Sequence, residues 1–215
     1  QLVLAGQSLL AKGLVAGTWG NLSLRVAEDQ VAITPSGREY GSLKSEDVVI
    51  VDLNGQVIFQ ASGRTASSEM PLHLAIYQAR PDIMAIVHTH SVHASACAVA
   101  HKPIPPVIED IVQLAGGEIP LAPYALPGTQ ELAAQAAATL GSKQAVLLAN
   151  HGAVCCGTTL AEAMTAAELV EKAAQIYLYA NLLGGAKALS DEDVNIMHEF
   201  YVSHYRKRRG DTGND

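Results

Sequence analysis

The chain has 215 residues, enough for one large domain or two small ones, and 49% of them are apolar, so a substantial core can be buried. A net charge of −7 argues against nucleic acid as the main partner, and no apolar run reaches the ~18 residues of a membrane span. Three cysteines (Cys97, Cys155, Cys156) give neither a paired framework nor a C-x-x-C motif, which points to reduced thiols in a cytoplasmic protein. Charged residues are only 16% of the chain, which suits either a partly covered, oligomeric surface or simply an Ala-rich chain with neutral polar groups outside.

Residues 1–12 read as a helix anchored by Leu2, Val3, Leu9 and Leu10 and ended by Gly13 and Gly17. Alternation predicts a strand over Asn21–Val26, with Leu22, Leu24 and Val26 on one side. A second strand runs over 31–34 and stops at the turn Pro35-Ser36-Gly37. A third, over 48–51, leads through Asp52-Leu53-Asn54-Gly55 into residues 56–58. Ser67-Ser68-Glu69-Met70-Pro71 opens a helix, because serine is a good N-cap and proline fits the first turn. Leu72, Ala75, Ile76 and Ala79 then repeat with helical spacing until Pro81. Ala85-Ile86-Val87-His88-Thr89-His90 reads as a strand and 91–100 as a helix, while 108–114 is ambiguous. A helix over 132–140, a strand over 145–149 and a long amphipathic helix over 160–183 complete the pattern. Short strands early and helices late, without repeat or linker, predict one α/β domain over 1–215: three layers, with a mostly antiparallel sheet flanked by helices.

His88 and His90 are one residue apart on a predicted strand, so they point to the same face, about 6.6–6.8 Å apart along the chain. Two imidazoles so placed can converge on one metal ion. A third, His151, ends the apolar run 145–149 in Asn150-His151-Gly152. Three neutral nitrogens with one open position form the ligand set of a catalytic rather than a structural zinc. An H-x-H pair also arises by chance, and a lone buried histidine is usually a satisfied core residue. Glu69, in the first turn of the helix before the His88 strand, can be a ligand or a base, or can merely compensate the helix dipole. His73, four residues on, shares its helix face, while His93 caps or packs and His101, His198 and His204 read as surface or interface residues. Gly17-Thr18-Trp19-Gly20-Asn21, Thr34-Pro35-Ser36-Gly37, Ser67-Ser68 and Gly116-Gly117 are each a turn by themselves. Beside a metal triad they suggest an anion site made of N–H and O–H groups. The basic run Arg206-Lys207-Arg208-Arg209 reads as a solvated helix end or an anion contact.

Taken in order, G-T-W-G-N-L-S, I-T-P-S-G, S-S-E-M-P-L-H, V-H-T-H-S-V-H and A-N-H-G-A-V resemble the class II aldolase/adducin family, and within it the fuculose-phosphate aldolases. The resemblance runs from about residue 1 to residue 183. It implies one Zn2+ per subunit on His88, His90 and His151, with Glu69 beside the metal as ligand and acid/base. It implies a substrate phosphate held by Gly20, Asn21, Ser36, Gly37, Ser67 and Ser68. The reaction implied is cleavage of a phosphorylated ketose to dihydroxyacetone phosphate and an aldehyde through a metal-stabilised enediolate. A cytoplasmic homotetramer with sites between subunits is also implied, with a small sugar phosphate and no nucleic acid or membrane as partner.

The chain departs from the family where a tyrosine donor is usual. Ile108-Glu109-Asp110-Ile111-Val112-Gln113 holds none, so Asp110, or Glu109, stands in as the second proton carrier. Tyr201 and Tyr205 both suit a second family tyrosine near the C-terminus. A sugar-phosphate 4-epimerase and a methylthioribulose-1-phosphate dehydratase are the alternatives of the same kind. Glutamate rather than aspartate at 69 disfavours the first, and acidic residues at 109 and 110 permit the second. A non-catalytic adducin-like interaction module is the alternative of another class, although such a module would have no need to keep three histidines and the glutamate.

Overall fold

Strand β5 (Ala85–Thr89) is buried along its whole length, which explains its unbroken apolar run and places His88 at the centre of the molecule. The computed structural model describes residues 1–205. On one side β5 pairs with β1 (Asn21–Ala27), where His88 lies opposite Asn21. On the other it pairs with β8 (Gly152–Gly157), where His88 lies opposite Val154. Outward from β1 lie β2 (Gln30–Ile33), β3 (Val49–Asp52) and β4 (Val57–Phe59). Outward from β8 lie β7 (Ala145–Leu148) and the two-residue β6 (Leu121–Ala122). The sheet order is β4-β3-β2-β1-β5-β8-β7-β6, and among the described residues only the β6–β7 pair is parallel. The mostly antiparallel sheet is as the sequence predicts.

Alternation along the central strands divides the core in two. Ala85 and Val87 of β5, Leu147 of β7 and Cys155 of β8 pack with α1 (Leu2–Ala11), α3 (Val92–Val99), α4 (Glu109–Ala115) and α6 (Leu160–Leu182). Ile86, Val146, Leu148 and Cys156 face the other way, onto α2 (Met70–Ala79) and α5 (Gln130–Leu140). His88 is two residues from Ile86, so it belongs to the α2 side. A seventh helix, α7 (Asp191–Phe200), caps α4 and passes into a π-turn at Tyr201–Tyr205.

Three elements escape sequence reading. Strand β8 shows no alternation because it is buried on both faces, β6 is too short for a pattern, and α7 has only Val194 fully buried. The ambiguous segment 108–114 is helix α4. The N-cap of α2 is Glu69 rather than a serine, and its carboxylate does not cap; Ser67 Oγ accepts the Glu69 N–H at 3.3 Å instead. The basic run 206–209 lies outside the described residues.

Backbone contact is tightest where β8 begins. A Cβ on Gly152 would sit 2.2 Å from the Thr89 carbonyl oxygen, with Thr89 held by the β5–β8 ladder and Gly152 by the β7–β8 ladder. Gly152→Ala is therefore expected to cost about 1–3 kcal/mol, as overpacking does elsewhere. Urea unfolding of the two proteins measures this, and an unchanged midpoint would contradict the packing described.

Candidate active site

Four side chains from three separate parts of the chain meet at the end of β5. His88 is the last but one residue of the strand, His90 follows it, His151 sits on the turn from β7 to β8, and Glu69 leads into α2. Their donor atoms all lie within 4.8 Å of one another. His88 Nε2 is 2.9 Å from His90 Nε2, 3.3 Å from His151 Nε2 and 3.1 Å from Glu69 Oε2. Glu69 Oε1 is 3.2 Å from His151 Nε2 and makes no hydrogen bond. The turn that carries His151 is held by Asn150, whose φ of 56° is in the left-handed region, and by His101 Nε2–H donating to Asn150 Oδ1 at 2.7 Å.

The protonation of the cluster follows from its neighbours. His88 Nδ1 donates to the Ala153 carbonyl at 3.0 Å, so the Nε2 of a neutral His88 presents a lone pair. Burial, then the nearby His88, lowers His90 to about 3 and His151 to about 4, so both rings are neutral at pH 7. Burial alone would raise the Glu69 carboxyl, but a proton on the adjacent His88, or on His151, and the Asn21 amide outweigh burial and lower it below the usual carboxylate range. Lone pairs and a carboxylate thus point at one centre with too few protons between them. A cation resolves this repulsion. Tetrahedral bonds of about 2.0–2.1 Å would put ligand atoms about 3.3–3.4 Å apart, close to the spacing seen. The donor set therefore fits a metal ion.

The cluster forms one end of a cleft of about 340 Å³, which Glu69, His90 and His151 share with Gly20, Asn21, Ser36, Gly37, Ser67 and Ser68. Every residue predicted from sequence to hold a phosphate thus lines the same cavity as the cluster. Gly20 has φ of +80°, and a Cβ there would lie 2.7 Å from the His88 carbonyl oxygen, so only glycine lets this loop lie against β5. Ser36 N–H donates to Thr65 O at 2.9 Å and Ser67 N–H to Thr34 O at 3.1 Å, which aligns the two serine-bearing loops. Thr18, Trp19, Pro35 and Pro127 complete the walls, and the exposed Trp19 ring stands 5.9 Å from that of His90.

Sequence reading missed the residues that hold these loops. Asp47, 2% exposed, accepts from Arg64 Nε at 2.5 Å, from Arg38 Nε at 3.3 Å and from the Lys44 N–H at 2.9 Å. Arg38 directly follows Gly37, and Arg64 precedes Ser67 by three positions, so one carboxylate ties both cleft loops to a turn. The signal was absent because the three residues share no local spacing. Ser23 and Tyr77 were missed as well; Ser23 hydrogen-bonds to His73 and Tyr77 to Ser23, while His73 reaches Glu69 through the Asn21 amide. Of the proposed second proton carriers, Asp110 lies on α4, half exposed and ion-paired with Lys172 of α6, and is not among the lining residues of this cleft. Tyr201 is buried, with its hydroxyl 3.5 Å from Glu162. The side chain of Tyr205 lies outside the described residues. His93 donates to Glu171, which also accepts the first N–H groups of α3.

Residues 1–178 match the family described as class II aldolase and adducin N-terminal domain. The chain belongs to the class II aldolase and adducin family. Its relatives in that family include the L-fuculose phosphate aldolase of Escherichia coli K12, 38% identical over 193 residues, covering 89% of this chain and 88% of the relative. The 5-deoxy-D-ribulose 1-phosphate aldolase of Bacillus thuringiensis is 40% identical over 202 residues, or 93% of both chains. Among solved structures of the family, an L-fuculose 1-phosphate aldolase superposes with a TM-score of 0.90 at 39% identity, covering 94% of each chain.

For this member of the family the Asp47 tie has a pH signature. Hydrogen bonding to Arg64, then to the Lys44 N–H, lowers the Asp47 carboxyl below its ordinary value of 3.8. A lowered folded pKa means stability that is complete above the unfolded pKa and lost as pH falls through the folded one. Asp47→Asn should therefore melt at a lower temperature than the parent at pH 5 and above, with the gap closing as pH falls below about 4. Thermal melts from pH 6 to pH 3 measure the gap; a gap independent of pH would show that the carboxylate charge is not what ties the loops.

Proposed function

We propose that this chain is a zinc-dependent aldolase that cleaves a phosphorylated ketose into dihydroxyacetone phosphate and an aldehyde. One observation carries the reading: the metal-type cluster and the loops suited to phosphate share a single cleft. The names of the relatives add the substrate class, since they act on fuculose phosphate, 5-deoxyribulose 1-phosphate and methylthioribulose 1-phosphate. His88, His90 and His151 are the proposed zinc ligands, with Glu69 at the fourth position. When bound, the divalent ion supplies a Lewis acid against which negative charge on the substrate oxygens is stabilised as the C3–C4 bond breaks.

The chain's own groups do the rest. The phosphate lies against Gly20, Asn21, Ser36, Gly37, Ser67 and Ser68, where N–H and O–H donors and the start of α2 replace the lysine or arginine that a phosphate site often uses. Holding the phosphate fixes the register of the carbon chain relative to the cluster. In cleavage Glu69, protonated from solvent when substrate binds, gives that proton to C3 as C3 and C4 part and is left ionised; in the synthetic direction the ionised carboxylate takes it back. The C4 hydroxyl loses its proton to a second group, Asp110 or Glu109 of a neighbouring subunit. Two observations support a homotetramer with this placement: both residues lie outside the cleft of their own chain, and Leu4 (71%), Val92 (70%) and Leu183 (89%) leave apolar surface exposed.

Three measurements test the reading. His88→Ala should lose nearly all bound zinc by elemental analysis of the desalted protein, and wild-type content would overturn the ligand assignment. Glu69→Gln should lose about 10²–10⁴-fold in turnover on ketose 1-phosphates, as general acid–base groups typically do; a loss under about threefold would remove Glu69 from that role. Ser68→Ala should raise KM for the phosphorylated ketose more than for its unphosphorylated parent. Equal effects on the two would place the phosphate elsewhere.

A further inference from the structure

A line of buried polar groups runs away from Glu69 along the interface of β1 and α2, and the cleavage chemistry does not account for it. Glu69, His73 and Tyr77 are spaced four apart on one face of α2, and Asn21 and Ser23 lie two apart on the facing side of β1. Asn21 Nδ2 is 2.8 Å from Glu69 Oε2, His73 Nε2 is 2.5 Å from Asn21 Oδ1, Ser23 Oγ is 2.6 Å from His73 Nδ1, and Tyr77 Oη is 2.9 Å from Ser23 Oγ. Asn21 (4%), Ser23 (0%), His73 (0%) and Tyr77 (1%) are sealed from solvent.

The direction of every bond is forced from one end. An ionised carboxylate only accepts, so the Asn21 amide must turn its NH₂ toward Glu69 and its oxygen toward His73. That oxygen only accepts, so His73 carries its proton on Nε2. A neutral His73 then has a lone pair on Nδ1, which Ser23 must satisfy as donor. The serine oxygen in turn accepts the phenolic proton of Tyr77, a group that burial keeps protonated. Arg25 closes the far end: its guanidinium stacks 4.9 Å from the Tyr77 ring centroid and donates to the Tyr77 carbonyl at 2.8 Å. All the donors therefore point toward Glu69, which receives one of them on Oε2, while Oε1 receives no hydrogen bond at all.

We infer that Tyr77, Ser23 and His73 are positioning residues that lock the Asn21 amide in one orientation and so reserve Oε1 of Glu69 as the oxygen that exchanges the proton. Without His73 the Asn21 oxygen has no donor and Glu69 alone holds the amide, which is then free to rotate away from the carboxylate. The inference rests on the reading of Glu69 as the proton carrier.

The test combines a spectroscopic signature with kinetics. In the metal-free wild-type protein at pH 7, long-range ¹H–¹⁵N correlation should show His73 as a neutral ring with its proton on Nε2. A ring with its proton on Nδ1, or protonated on both nitrogens, overturns the inference whatever the variants do. In the zinc-loaded enzyme, His73→Leu should lower kcat about 10- to 100-fold, the equivalent of one hydrogen bond to a charged group, with KM changed less than about threefold and zinc content unchanged. His73→Gln, which restores a donor and an acceptor a similar distance apart, should recover most of the loss, and Tyr77→Phe should lower kcat by a smaller factor. Wild-type kcat in His73→Leu, or a His73→Gln as impaired as His73→Leu, overturns it. An inactive Glu69→Gln alongside a fully active His73→Leu defeats this inference alone, whereas an active Glu69→Gln defeats the proposed role of Glu69 and this inference with it.

Discussion

Mutual repulsion at the end of β5 is the constraint around which the molecule is organised. Three imidazole nitrogens and a carboxylate are forced to within a few ångströms of each other, with the His88 ring and the Glu69 carboxylate nearly sealed from water. No folded protein gains from that arrangement by itself, because each lone pair gives up hydration and meets another lone pair. The surrounding structure has to impose it. A fully buried central strand fixes His88, a carbonyl of β8 fixes the tautomer of its ring, and a glycine with no Cβ lets the first cleft loop lie on the His88 backbone. A cation at this centre would offset the energy spent on convergence, so fold and chemistry depend on the same few atoms.

Around that centre the polar groups are sorted by what they hold. On one side the Asn21 amide and the groups behind it set the orientation of Glu69. On the other, Asp47 joins the loops that carry Ser36 and Ser67. These supports use opposite chemistry: the first is a line of neutral groups with no water around it, and the second is an ionic knot with two half-exposed arginines. A rigid carboxylate suits proton transfer, where small displacements are costly, while charge near the serine loops suits an anion arriving from solvent.

Much of this was visible in the sequence where chemistry and spacing coincide. His88 and His90 share a strand face, His151 follows an apolar run, and the glycine- and serine-bearing turns occur in a fixed order. The mostly antiparallel sheet between helices also follows from the early strands and late helices. What remained hidden depends on distance along the chain. Asp47 meets Arg64 across 17 positions and Ser23 meets Tyr77 across 54, and no periodicity links such pairs. Asn21 and Ser23 look like the solvent face of an alternating strand, yet α2 covers them, so the usual link from polar to exposed fails at the residues that matter most. Strand β8 was missed for the reverse reason, since burial on both faces leaves no alternation to find.

The turn that carries His151 arrives late in synthesis, 63 positions after His88. Until β8 is laid beside β5, a growing chain offers a metal only Glu69 and the H-x-H pair, and the ring of His88 has no Ala153 carbonyl to orient it. Completion of the donor set therefore waits for the antiparallel closure of the last long-range strand pair, which is a slow kind of event in folding. The cluster is complete only after the topology is complete, so a partly folded chain has fewer than four donors to offer a cation.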